Sequence, residues 1–117
     1  MISTAVRIPA TARVHLPAVG RTHILPTPVY AGTVGHVARV NSDYYAVSIR
    51  PAAGWVANPA IGVSATVWQD VATGEWVTDA WAPGGASVEI QRSRTAEAAI
   101  GAALLDCSER GAAQGRW

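Results

Sequence analysis

The chain has 117 residues, half of them apolar and only 15% charged, with a formal net charge of +1. That length fits one domain able to bury roughly two-thirds of its unfolded surface, and the apolar fraction excludes a disordered polyampholyte. Near-neutrality argues against a protein held to nucleic acid chiefly by phosphate neutralisation.

All nine basic residues are arginine, and phenylalanine is absent. Lysine and phenylalanine codons are AT-rich, so the bias points to a GC-rich bacterium such as an actinobacterium, or its phage. Charge divides along the chain. Residues 1–60 carry five arginines against Asp43, a balance of +4, and residues 61–117 carry four against seven acids, a balance of −3. Such halves can face one another within a fold or between copies. A single cysteine, Cys107, excludes an internal disulfide. The N-terminal stretch lacks the apolar run of a signal peptide and no stretch reaches membrane-spanning length, so a soluble cytoplasmic protein is expected, with no membrane partner.

In chain order, residues 1–30 read as irregular structure or edge strands, because Pro9, Pro17, Pro26 and Pro28 each remove a backbone donor. "RVHLP" at 13–17 and "RTHILP" at 21–26 resemble the two arms of a hairpin. Antiparallel hairpins are expected over 33–91. "TVGHVARV" and "YYAVSIR" flank the turn cluster "NSD", and a period of two places Tyr45, Val47 and Ile49 inward. "PAAGWVANPAIG" at 51–62 reads as a loop around Trp55. A second hairpin follows over 63–69 and 75–81, then a last strand in "ASVEIQ".

The helix is expected over 94–110. Ala96, Ala99, Ile100, Ala103, Leu104 and Cys107 form one stripe, Ser93 or Thr95 caps the start, and Gly111 is placed to stop it ahead of a tail at 111–117. The resulting fold class is α+β: an antiparallel sheet or small open barrel with one C-terminal helix on a face. Strand pairs followed by a helix opening "RTAEAAIGAALL" are similar in element order to small sheet-plus-helix domains, among them double-stranded-RNA-binding-like folds, HicB-type antitoxins and integrase arm-binding domains. That likeness implies the fold class alone.

Three of the five tryptophans fall in "VWQDVATGEWVTDAW". Two registers are open to this hairpin. Pairing Asp70 with Glu75 puts Trp68 opposite Val77 and mixes polar with apolar side chains on both faces. A bulge at Gly74 pairs Gln69 with Glu75 and sorts the faces better: Trp68 meets Trp76, Thr66 meets Thr78, and Val67 meets Val77. The second register is adopted. It leaves Val63, Ala65, Val67, Val77, Asp79 and Trp81 as the bed for the helix. Trp68, Trp76, Thr66 and Thr78 become the candidate contact patch for a protein partner or a second copy, with burial beneath the N-terminal strands as the competing reading.

Arg13, Arg21, Arg39 and Arg50 beside Tyr44 give the alternative, a nucleic-acid-binding face, with Arg39, Tyr44 and Arg50 as its contacts. His15, His23 and His36 match no ligand spacing, so no metal is expected. Cys107 lies on the helix's apolar stripe, which makes an inert thiol. Asp70, Glu75 and Asp79 flank a turn, and "APGGAS" lacks the lysine and helix of a phosphate loop. No catalytic residue or cofactor is expected, and the reading is of a small non-enzymatic accessory or regulatory protein, with short exposed edges and the charge asymmetry pointing to a homodimer.

Overall fold

The computed structural model describes residues 16–25, 33–51, 63–81 and 87–115. Among the described residues six strands follow one another in sequence and in space: β1 (Thr22–Leu25), β2 (Thr33–Asn41), β3 (Tyr44–Pro51), β4 (Val63–Gln69), β5 (Trp76–Trp81) and β6 (Ser87–Ser93). Every neighbouring pair is antiparallel, and α1 (Ala96–Ala113) packs against β3–β6. The architecture is an open α+β sheet with one helix on one face, as expected. β1 takes β2 as its partner, and the expected opposing arm at 13–17 falls mostly outside the described residues. Of the loop expected at 51–62 around Trp55, Pro51 instead ends β3, and the rest lies outside the described residues.

Strand alternation selects the helix-facing side. Val37, Tyr45, Val47, Ile49, Val63, Ala65 and Val67 are at most 5% exposed and join Ala96, Ala99, Ile100, Ala103 and Cys107 in one core. Alanine dominates the helix stripe, so the backbone comes close enough for the Thr78 hydroxyl to donate to the Ala99 carbonyl at 2.9 Å. That bond lets a hydroxyl sit fully buried without an unmet donor.

Thr95 caps α1, accepting from the Ala98 amide at 3.2 Å. The helix does not stop at Gly111 as its composition suggests. Gly111 is buried within the last turn, where burial of the helix outweighs the roughly 1 kcal/mol that glycine costs in a helix interior. Gln114 closes the helix instead, followed by Gly115 at φ +70°. Near this end Arg110 binds Asp106 at 2.7 Å and the Ser64 carbonyl at 2.9 Å, which ties the helix to β4.

The β4–β5 register departs from expectation. Gly74 does take a positive φ of 75°, but no bulge follows. The Asp70 carbonyl accepts from the Gly74 amide at 2.7 Å, the Asp70 carboxylate from the Ala72 amide at 3.0 Å, and the Asp70 amide donates to Glu75 at 2.8 Å. Asp70 therefore closes a four-residue loop and pairs with Glu75. Trp68 stands opposite Val77, Val67 opposite Thr78, Thr66 opposite Asp79, and Trp76 opposite Gln69. Polarity sorting misplaces this strand because Thr78 belongs on the helix side, bonded to α1, while Asp79 and the buried Val77 belong on the opposite face. The helix bed is Val63, Ala65, Val67, Trp76, Thr78 and Ala80.

Candidate binding trough on the helix-free face

One slip of register separates the four residues of the expected contact patch. Trp68 and Thr66 lie on the face away from α1, whereas Trp76 and Thr78 lie beneath it. Trp76 packs against the core, its ring centroid 5.7 Å from that of Tyr45 at an interplanar angle of 56°. Trp68 donates its indole N–H to Asp79 at 2.8 Å and flanks the buried Val77. The two indoles therefore do not share a face, and of the N-terminal segment expected to lie over them only β1 and residues 16–21 are described, with β1 extending the sheet at its edge.

The nucleic-acid alternative is divided in the same way. Arg39 pairs with Tyr45 and lies on the helix side, its guanidinium 5.3 Å from the Tyr45 ring and bonded to the Ser42 carbonyl at 3.2 Å. It closes the β2–β3 end of the core rather than presenting charge beside Tyr44. Tyr44 and Arg50 do share the helix-free face. Arg13 lies outside the described residues and Arg21 immediately precedes β1.

The structure brings together a different set. Two cross-strand rows run along the helix-free face: Thr22, Ala38, Ala46 and Thr66, and beside them Ile24, His36, Ser48 and Ser64. All of these but Ile24 line a trough of about 570 Å³, and all of the lining ones but His36 are small, so they form its floor. Tyr44 stands at one wall, and Arg50 and Trp81 at the other. Four strands at about 4.8 Å spacing make the floor roughly 14 Å long. The volume is in the range of ligand clefts, about 300–1,000 Å³. Of the expected contacts only Thr66, Tyr44 and Arg50 line it. Ala46, Ser48 and Ser64 carry no signal in the sequence beyond being small and outward, since the trough arises from register across three hairpins.

Charge on this face is uneven. Arg50 is the one formal charge among the described lining residues. The carboxylates of the face gather across β4–β6: Asp79 is held by Trp68, while Asp70 and Glu89 are held by Arg92 at 3.0 Å each, with Glu75 at 3.7 Å. The Arg92 guanidinium lowers the Asp70 pKa. On the helix-free face the described carboxylates thus lie toward β4–β6 and Arg50 lies on β3.

Burial, and secondarily the nearby Arg50, lower the His36 pKa below its ordinary 6.5. The unfolded chain then binds the proton more readily than the folded one, so stability falls as pH drops through about 6.5. Asp70 adds nothing there, because its depressed pKa loses stabilising effect only as pH falls below the ordinary value of 3.8. The melting temperature is expected to decline between about pH 7.5 and 5.5, and to decline less in His36→Gln. Equal declines in both proteins refute this role.

His23 and His36 point to opposite faces, His15 lies outside the described residues, and no group of three metal-ligating side chains occurs among the described residues. Burial pushes the Cys107 thiol up to about 12, which keeps it protonated and unreactive at neutral pH. No described helix is long and apolar enough to cross a membrane. No protein-family model, curated protein or solved structure matches this chain.

Proposed function

We propose that the protein is a small non-enzymatic binding protein, an accessory or regulatory factor, that holds a segment of a protein partner in the trough on its helix-free face. The observation that carries this reading is a floor of Ala38, Ala46, Ser48, Ser64 and Thr66 sunk between Tyr44 on one side and Arg50 with Trp81 on the other. A floor of small side chains lets a partner backbone approach closely, and the aromatic walls supply contact area at low entropic cost. Trp81, 44% exposed, offers ring surface for that contact. A nucleic-acid strand crossing the sheet would meet the carboxylates of β4–β6, and Arg39 is turned away from it. Both features favour a protein partner.

The test is capture from a bacterial lysate by the immobilised protein, repeated with the floor filled. Ala46→Arg and Ser64→Arg, at half-buried and exposed positions respectively, are expected to cut capture at least about tenfold without moving the melting temperature. Ala113→Arg, at the exposed end of α1, leaves capture unchanged. Capture is also expected to persist at about 1 M salt, where charge-driven contacts are screened. A partner retained by both filled variants, or nucleic acid released by salt in its place, overturns the proposal.

A further inference from the structure

Resting on the reading of the trough as a partner site, we infer that the segment it holds is basic, with small side chains on the floor and a lysine or arginine against Asp79. The floor row does not end where the trough does. Thr22, Ala38, Ala46 and Thr66 are followed on β5 by Asp79, the cross-strand partner of Thr66, on the same helix-free face. Side chains paired in this way stand about 4.5–5.5 Å apart, so a chain lying along the row passes from the floor onto this carboxylate. From Thr22 to Asp79 the row crosses five strands, roughly 19 Å, which an extended chain covers in about six residues.

Asp79 differs from the other carboxylates of the face in having no counter-charge. Asp70, Glu75 and Glu89 share the Arg92 guanidinium, at 3.0, 3.7 and 3.0 Å. Asp79 Oδ2 accepts from a neutral donor, the Trp68 indole N–H at 2.8 Å, and among the described residues Asp79 forms no ion pair. Its second oxygen is open to a further donor. Asp79 is also half-buried, where salt screens an ion pair less than on an open surface. The rest of the face carries the same sign, because four carboxylates across β4–β6 stand against the single guanidinium of Arg92. That field draws a cation to the β5 end of the row and turns away an acid or a phosphate strand. Arg50 does not oppose it. It lies four residues along β3 from Ala46 and two strands from Asp79, roughly 16 Å by strand spacing, beyond the screening length of about 8 Å.

The experiment follows backbone amide resonances of the isotope-labelled protein during titration with capped hexapeptides: acetyl-AVAGAK-amide, its glutamine and glutamate counterparts, and a four-nucleotide oligothymidylate. The lysine peptide is expected to shift Ala38, Ala46, Thr66 and Asp79, and to bind at least about fivefold tighter than the glutamine peptide. The glutamate peptide binds more weakly than either. Raising salt from about 0.05 to 0.5 M narrows the preference while the floor shifts persist. Asp79→Asn, whose amide oxygen still accepts from the Trp68 indole, brings the lysine and glutamine peptides to equal affinity. Glu97→Gln, at an exposed position on α1, leaves the preference intact. Equal affinities in the unaltered protein, no shift included, overturn selection of a base, and that comparison decides alone where Asp79→Asn does not fold. A preference that survives Asp79→Asn, or is lost in Glu97→Gln, also overturns it. Floor shifts common to the lysine and glutamine peptides leave the trough itself standing as a binding site. Floor shifts on concentrating the protein alone assign the trough to a second copy and overturn the inference. Shifts confined to α1 overturn both readings, and so does tighter binding of the oligothymidylate at the floor, which points to nucleic acid.

Discussion

Replacing Ile100 by alanine is expected to destabilise the protein by about 2–5 kcal/mol, toward the upper part of that range. Ile100 is the largest fully buried side chain on α1, and its buried companions on the stripe are three alanines and Cys107, with Leu104 only half-buried. A large-to-small change costs least when the surroundings can close over the gap. Here they cannot, because Ala99 and Ala103 already hold the helix near its closest approach and Thr78 pins the Ala99 carbonyl from β5. The cavity therefore persists. For a domain with about 5–15 kcal/mol of total stability, this removes a large share. Urea denaturation checks it: the midpoint falls with the slope unchanged. Leu104→Ala, from a half-buried position at the rim of the same core, costs less. A loss below about 1 kcal/mol for Ile100→Ala contradicts this account of how α1 is seated.

That seating was legible in the sequence because the helix stripe and the β3 alternation are local patterns. Ala96, Ala99, Ile100, Ala103 and Cys107 recur at helical spacing, and Tyr45, Val47 and Ile49 at strand spacing, so each element identifies its buried face unaided. The register of β4 against β5 is different in kind. Gly74 adopts the backbone conformation its position suggests, yet whether one residue is added to the loop depends on what the Asp70 carbonyl and carboxylate bind. It also depends on whether a buried threonine finds an acceptor, and the acceptor of Thr78 is on α1, twenty-one residues away.

A period of two converts one slip into exchange of every side chain between faces, so the expected contact patch fell with the register. The trough was illegible for the same reason. Tyr44, Arg50 and Thr66 each stand out in the sequence, but under different functions, and only the cross-strand rows place them around one floor.

Trp68 and Trp76 give that register its sharpest test. Trp76→Ala is expected to cost about 2–4 kcal/mol, since the ring is half-buried against the core and in tilted contact with Tyr45. Trp68→Ala removes an indole from the opposite face and releases Asp79, whose loss of one charge-assisted bond at a half-buried site contributes about 1 kcal/mol alongside the lost packing on Val77. The decisive quantity is the coupling between them. Rings paired across strands on one face interact by about 0.2–1 kcal/mol, whereas rings on opposite faces contribute independently, and their double mutant is additive within about 0.3–0.5 kcal/mol. The cycle joining Tyr45 to Trp76 behaves in the contrary way, with a coupling of about 0.5–1.5 kcal/mol for an aromatic pair. Partner capture by the trough separates the two further: Trp68→Ala disturbs Tyr44, its cross-strand neighbour at the trough wall, and weakens capture, while Trp76→Ala leaves it unchanged wherever the protein remains folded. A coupled Trp68–Trp76 pair would restore the bulged register and remove the floor on which the trough depends.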